Sequence, residues 1–250
     1  MKKIFLLFIS PLIALMIATC IVHQTASHVS NQPLNIYLVR HGQTILNTHS
    51  RIQGWSDSPL TATGIAQAST VGKNMHKLNF IAAYSADNQR TNDTARLILK
   101  NANDSVKIQK LKYLREGYYG SFEGDKTTTY TNKLPKVYDL NSDTQLRQKY
   151  SSTYWQHIQN AYAKLDTSHE AEASSKAVSR FNTALKKITA KHTHGNVLVV
   201  SSGMVTMEWL ESQHIRIDTV RMLPNNSVTK LTYIDGKLKV DYFGSEAFLK

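Results

Sequence analysis

An apolar, β-prone run from Leu34 to Val39 stops abruptly at Arg40-His41-Gly42. This junction constrains the fold more than any other stretch of the chain. In open α/β sheets, ligands bind outside the carboxyl ends of the strands. A buried strand that delivers a cation and an imidazole there is built to meet an anion. Arginine offers a planar fork of N–H donors to phosphate oxygens. Histidine has an ordinary pKa near neutrality, so much of it is uncharged and nucleophilic. Glycine lets the backbone come close to a ligand.

The segments that follow alternate between strand and helix patterns. Thr61 is placed to cap a helix in which Ile65, Ala68, Gly72, Met75 and Leu78 recur at helical spacing, so these are expected in the core. Phe80 to Ser85 reads as a second strand and leads through Asp87-Asn88-Gln89-Arg90 into a helix carrying Ala95, Leu97, Ile98 and Leu99. Val106 to Leu111 reads as a third strand. From Thr127 to about Lys191 the chain is polar and helix-prone, with an apolar stripe through Tyr154, Trp155, Ile158, Ala161, Tyr162 and Leu165. Asn196 to Ser201 is an apolar central strand, and Gly203 opens another helix. Asn226 to Ile234 and Leu238 to Phe243 form a hairpin about Asp235-Gly236. Such alternation predicts a mostly parallel sheet with an antiparallel hairpin at one edge, in one domain.

The first 30 residues differ from the rest. Lys2-Lys3 precede a run from Ile4 to Val22 that is apolar except for Ser10, Pro11 and Thr19. This is expected to engage a membrane as a signal peptide or anchor, with residues 31–250 on the far side. Cleavage after Ser27, lipidation at Cys20 and retention as an anchor all fit the residues. Cys20 is the only cysteine, so the domain has no disulfide and no cysteine-based zinc site. The formal net charge of +12 favours acidic partners such as a small phosphorylated substrate or an anionic cell-surface polymer. No nucleic-acid signature accompanies it, and membrane contact is expected through the N-terminal segment alone.

The sequence beyond Gly42 continues with Thr44 and Asn47, then Gln53-Gly54-Trp55-Ser56-Asp57-Ser58-Pro59-Leu60-Thr61 and Gly64. From about Leu34 to Phe243 the chain resembles the histidine phosphatase superfamily, in its phosphoglycerate mutase-like branch. The resemblance implies a phosphoglycerate mutase-like three-layer α/β sandwich with a mostly parallel central sheet, a helical insertion from Thr127 to about Lys191 that covers the active site, and an edge hairpin. It implies His41 as a nucleophile that becomes phosphohistidine, with Arg40, Asn47 and Arg90 binding the phosphoryl group and Gln53 and Gly54 near the substrate. Arg90 is placed by the frame Ser85-Ala86-Asp87-Asn88-Gln89-Arg90 leading to Thr94-Ala95. Glu116, in Leu114-Arg115-Glu116, falls at the position of the proton donor, while Glu123 is expected to be structural. Neither a metal nor an organic cofactor is implied.

Two places depart from the family pattern. Where the family has a second histidine after a strand, this chain reads Val200-Ser201-Ser202-Gly203. A hydroxyl at Ser202 donates one hydrogen bond but brings no positive charge. His192 and His194 precede that strand and are expected as exposed loop residues at its other end. Glu172 through Arg180 only loosely echoes a family segment, and no role is assigned to it. The sequence therefore predicts an exported phosphomonoesterase with activity weakened at Ser202. The alternative is an inactive module that binds phosphate or a polyanion at the cell surface. Mutase activity is disfavoured, because an exported chain does not meet a glycolytic acid.

Overall fold

The structure, a computed structural model, describes residues 32–217 and 221–250. The expected leader and Cys20 lie outside the described residues. Six strands form one sheet in the order β3-β2-β4-β1-β5-β6. They are β1 (Leu34–Arg40), β2 (Phe80–Ser85), β3 (Ile108–Lys110), β4 (Gly195–Ser201), β5 (Val228–Ile234) and β6 (Lys237–Ser245). The pairs β1–β4, β2–β4 and β2–β3 are parallel, and β5 runs antiparallel to both β1 and β6. Asp235 and Gly236 both take positive φ, 50° and 75°, the conformation of a two-residue hairpin turn that favours glycine.

Among the described residues there are seven α-helices: α1 (Ile45–Thr48), α2 (Ala62–Asn74), α3 (Gln89–Asn101), α4 (Asp143–Lys149), α5 (Tyr154–Leu165), α6 (Ser174–Lys191) and α7 (Gly203–Ser212). The pleat of β1 sorts its side chains between two cores. Tyr37 and Val39 join Val71 and Met75, in and just after α2, with Ala95 and Ile98 of α3 on one face. Ile36 and Leu38 join Ile158 of α5, Phe181 and Leu185 of α6 and Trp209 of α7 on the other. Helices on both faces of a largely parallel sheet give three layers, and they place the carboxyl ends of β1 and β4 together. Register pairs Arg40 with Ser201, and the His41 amide donates to the Ser201 carbonyl at 2.9 Å.

Four expectations need correction. Ile65 is 45% exposed, because α2 turns only the Ala68, Val71 and Gly72 side toward the sheet. The third strand spans three residues rather than six, since β2 offers it pairing only from Ala83 to Ser85. The segment 127–191 is not one insertion. Its first part is built of 3₁₀ turns and short helices, but α6 buries Ala177, Phe181, Ala184, Leu185 and Ile188 and belongs to the core. His192 is half-buried, with its Nε2 2.8 Å from the Tyr84 hydroxyl. His194 is exposed as expected, and both precede β4, away from the Arg40–His41 end.

Candidate active site

His41 is 3% exposed, at the point where β1 ends. Its Nδ1 lies 2.9 Å from the carbonyl of Gly42. A carbonyl only accepts, so Nδ1 carries the proton and Nε2 keeps its lone pair. Burial, then the charges of Arg90 and Arg40, hold the imidazole well below the usual histidine pKa. The ring is therefore neutral near pH 7, with its nucleophilic nitrogen defined by the backbone.

His41 opens into a cleft of about 370 Å³ that Arg40, Asn47, Gln53 and Glu116 also line. The Arg40 Nη1 donates to the Leu223 carbonyl, while its Nε is buried without a partner. Asn47 closes a capping box on α1, its Oδ1 accepting from the Thr44 amide at 3.2 Å. Gln53 accepts from the Thr44 hydroxyl at 2.6 Å, so both amides are held from behind by the same turn. Asn225, which sequence reasoning missed, also lines the cleft and donates to the His41 carbonyl at 3.0 Å and to Asn47 Oδ1 at 3.2 Å. Only its position just before β5 could have signalled it, and a lone asparagine in a loop reads as turn chemistry.

Arg90, Gly54 and Ser202 do not line the cleft. Arg90 is fully buried behind it. Its Nη2 donates to the Gly54 carbonyl at 2.7 Å, and its Nη1 to the Ser56 carbonyl at 2.7 Å and to Asp57 at 3.1 Å. Its Nε has no partner. The loop that holds Arg90 is itself held by Glu123, which accepts from the amides of Gly54, Trp55, Ser56 and Tyr119 at 2.8–3.2 Å. A Cβ at Gly54 would collide with the Glu123 carboxylate and the Gly117 carbonyl. Glycine is thus required there for packing, which accounts for Gly54 without contact to a ligand. Glu123 is structural, as expected from the sequence.

Glu116 projects between β4 and α7. Its Oε1 accepts from the amides of Val205 (2.6 Å) and Gly117 (3.1 Å), and its Oε2 accepts from Met204 (2.9 Å). The carboxyl therefore caps the positive end of α7, an interaction that favours the anion. Burial outweighs these bonds and raises the Glu116 pKa. Oε2 carries one bond against two at Oε1, so it has the freer lone pair for a proton.

Behind Glu116 lies a clamp that the sequence showed only faintly. Arg180 pairs with Glu172 at 2.8 Å and donates to the carbonyls of Tyr113, Arg115 and Glu116 at 2.7–3.0 Å. It fixes the backbone that aims Glu116. Charge and spacing in Glu172–Arg180 were visible, but the partners sit about 60 residues upstream in sequence. Ser202 is fully buried at the N-cap of α7, and its hydroxyl has no partner. It lies beside His41 at the strand ends. Among the described residues, no group of three or more His, Cys, Asp or Glu side chains is placed to hold a metal ion.

The sheet is parallel at its centre and ends in Arg40 and the buried His41, and the buried Glu116 carboxyl lines the same cleft. The chain belongs to the histidine phosphatase superfamily (branch 1), whose sequence model matches residues 36–245. A metal-independent phosphoserine phosphatase of Arabidopsis thaliana is 28% identical over 225 residues, covering 88% of this chain and 85% of its own length. A 2,3-bisphosphoglycerate-dependent phosphoglycerate mutase of Gloeobacter violaceus is 38% identical over 90 residues, and the match covers 36% of this chain and 41% of that relative. Among solved structures, a phosphoglycerate mutase from Bacillus anthracis superposes with a TM-score of 0.78 at 33% identity, covering 88% of this chain and 96% of its own. The fold is therefore phosphoglycerate mutase-like.

Proposed function

We propose that this chain is a phosphomonoesterase that works through a phosphohistidine at His41. The observation that carries this reading is the neutral, buried imidazole with Nδ1 tied to Gly42 and Nε2 free beside Arg40. Nε2 attacks the phosphorus in line with the ester oxygen. Phosphoryl transfer asks the protein chiefly for positioning and for stabilisation of charge on the equatorial oxygens. The Arg40 and Arg90 Nε–H groups are buried donors without partners. Leaving such a donor unmade costs about 1–3 kcal/mol or more for a charged group, and Arg40, which lines the cleft, can satisfy its own on a phosphoryl oxygen. Asn47 offers a neutral donor at the same end, with its Oδ1 held by Asn225. Glu116 gives its proton from Oε2 to the departing oxygen, then takes one from the water that hydrolyses the phosphohistidine.

The pH dependence follows from the two shifts. His41 must be neutral, and its pKa lies below the usual 6.5, so the acid limb of kcat/KM falls below that pH. Glu116 must be protonated, and its pKa is raised above 4.5, so activity declines as pH climbs past the raised value. The optimum is expected between the lowered His41 value and the raised Glu116 value. Glu116→Gln should lower kcat by about 10²–10³ and remove the alkaline limb that Glu116 sets. Steady-state profiles of both proteins on an aryl phosphate check this. An unchanged profile in the variant would remove Glu116 from the proton-transfer role.

One observation favours a second reading, that of a binding module. Ser202 stands where the family carries its second histidine, so the site can hold a phosphate with one cationic donor fewer. We also propose export, on the strength of Lys2-Lys3 and the apolar run to Val22. Among the described residues no helix is long and apolar enough to cross a membrane, so retention would fall to the N-terminal segment. Fractionation of cells carrying the tagged full chain should recover it with membranes or outside the cell. Recovery in the soluble cytoplasm would contradict export and reopen the mutase reading.

A further inference from the structure

We propose that the cleft selects phosphomonoesters of uncharged aromatic or apolar alcohols over phosphorylated hydroxy acids, an inference that rests on the phosphomonoesterase reading. The cleft has two unlike ends. Arg40, His41, Asn47, Asn225 and Glu116 gather at the inner end, where the phosphoryl group belongs. Ser50, Arg51 and Thr127 line the cleft as exposed residues, and its apolar walls are Ile52, Tyr119, Ile158, Tyr162, Met204 and Met222. Five of these six are under a tenth exposed, and Met222 packs partly buried against the same core.

The two tyrosines form a corner, with ring centroids 5.0 Å apart at 77°. This is the edge-to-face arrangement that presents both a ring face and a ring edge to a third aromatic group. Burial pushes both phenols up, Tyr119 most strongly, with the Glu116 carboxyl as a further cause there. Both are neutral at any physiological pH. Two thioethers complete the wall, and methionine adapts to ring edges through its polarisable sulfur.

A carboxylate has no place in this wall. Besides Arg40, the cation among the described lining residues is Arg51. It stands exposed at the rim, with its Nη1 committed to the Gly124 carbonyl at 2.6 Å. An exposed cation attracts an anion weakly, and a carboxylate seated deeper would be desolvated against Ile158 and Met222 without a cationic partner.

Two alkylphosphonates, one ending in a phenyl group and one in a carboxylate, separate the possibilities without needing turnover. Titration calorimetry on the full chain should show 3-phenylpropylphosphonate binding at least about tenfold more tightly than 3-phosphonopropionate, the size expected for burying a phenyl ring. In Ile158→Asn, and separately in Met222→Asn as a less buried site, the ratio between the two ligands should fall at least threefold to fivefold, or about that. Equal affinities, or preference for the carboxylate, would overturn the inference. Turnover of 2-phenylethyl phosphate against 3-phosphoglycerate, two alkyl esters, provides the second arm. Faster kcat/KM for the phenyl ester supports the inference, and the reverse order overturns it. Selective phosphonate binding with no turnover of either ester would overturn the hydrolase reading while supporting the selectivity of the cleft.

Discussion

His41→Ala is expected to lower kcat/KM on any phosphomonoester by about 10⁴ or more, because it removes the atom that forms the covalent intermediate. Loss of a nucleophile differs from loss of a donor, since no neighbouring group can take its place. Glu116 is bound by three backbone amides, and Ser202 is enclosed with no base beside it that could activate its hydroxyl. The variant should fold. A methyl group where the imidazole stood leaves the β1–β4 pairing and the His41 amide bond to Ser201 untouched. Phosphate binding should persist, as Arg40 keeps its unpaired Nε–H group at the cleft. Turnover within tenfold of the parent would remove His41 from the mechanism.

Ser202→His is expected to raise kcat by about tenfold to 10³, the size associated with one charged donor to a transition-state oxygen. The gain should fall on kcat more than on KM, because the imidazole acts on charge that develops as the ester bond breaks. Geometry supports the placement. Ser202 follows Ser201, the register partner of Arg40, so a side chain there stands beside His41. Its present hydroxyl is buried and unpaired, so no existing bond is sacrificed. The opposing effect is overpacking, since the site is closed to solvent and an imidazole is larger. A Cβ placed at the adjacent Gly203 would already lie 2.7 Å from the Met222 sulfur and 3.1 Å from Arg40 Nε. Met222 has freedom to move, and thermal unfolding of the variant measures the cost. The gain must vanish in the Ser202→His, His41→Ala double variant. A stable single variant with no gain, on a parent that turns over briskly, would show that another donor already serves the developing charge.

Much of the frame was legible because local chemistry and tertiary packing agree there. The run Phe80–Ser85 is apolar and β-branched or aromatic at enough positions to be a strand in isolation, and it is one. Thr61 caps α2 by accepting from the Gly64 amide, and Asp235-Gly236 turns the hairpin as its residue types require. Ile65 failed because helical spacing marks an apolar stripe wider than the face that the sheet covers. The segment 127–191 failed because α6 is rich in lysine and serine. Its buried stripe of Ala177, Phe181, Ala184 and Ile188 is diluted by the exposed side.

The cleft divides in the same way. The arginine and histidine at the end of β1 announce themselves by abrupt polarity after an apolar strand. Arg180, Glu172 and Asn225 act through partners remote in sequence, to Tyr113, Arg115 and Glu116 in one case and to His41 in the other. No local pattern encodes such contacts. Tyr119 could not be distinguished from any core aromatic until the fold set it beside Tyr162 on the wall of the cleft.

The covalent intermediate is the centre of the account, and it can be seen directly. The full chain is mixed with phenyl phosphate, quenched in denaturant at alkaline pH within the first turnover, digested and analysed by mass spectrometry. The account predicts one phosphoryl group on the peptide that carries His41. It should be stable in base, lost in acid and absent from His41→Ala. Steady hydrolysis with no phosphorylated peptide, or with the label on another residue, would contradict it.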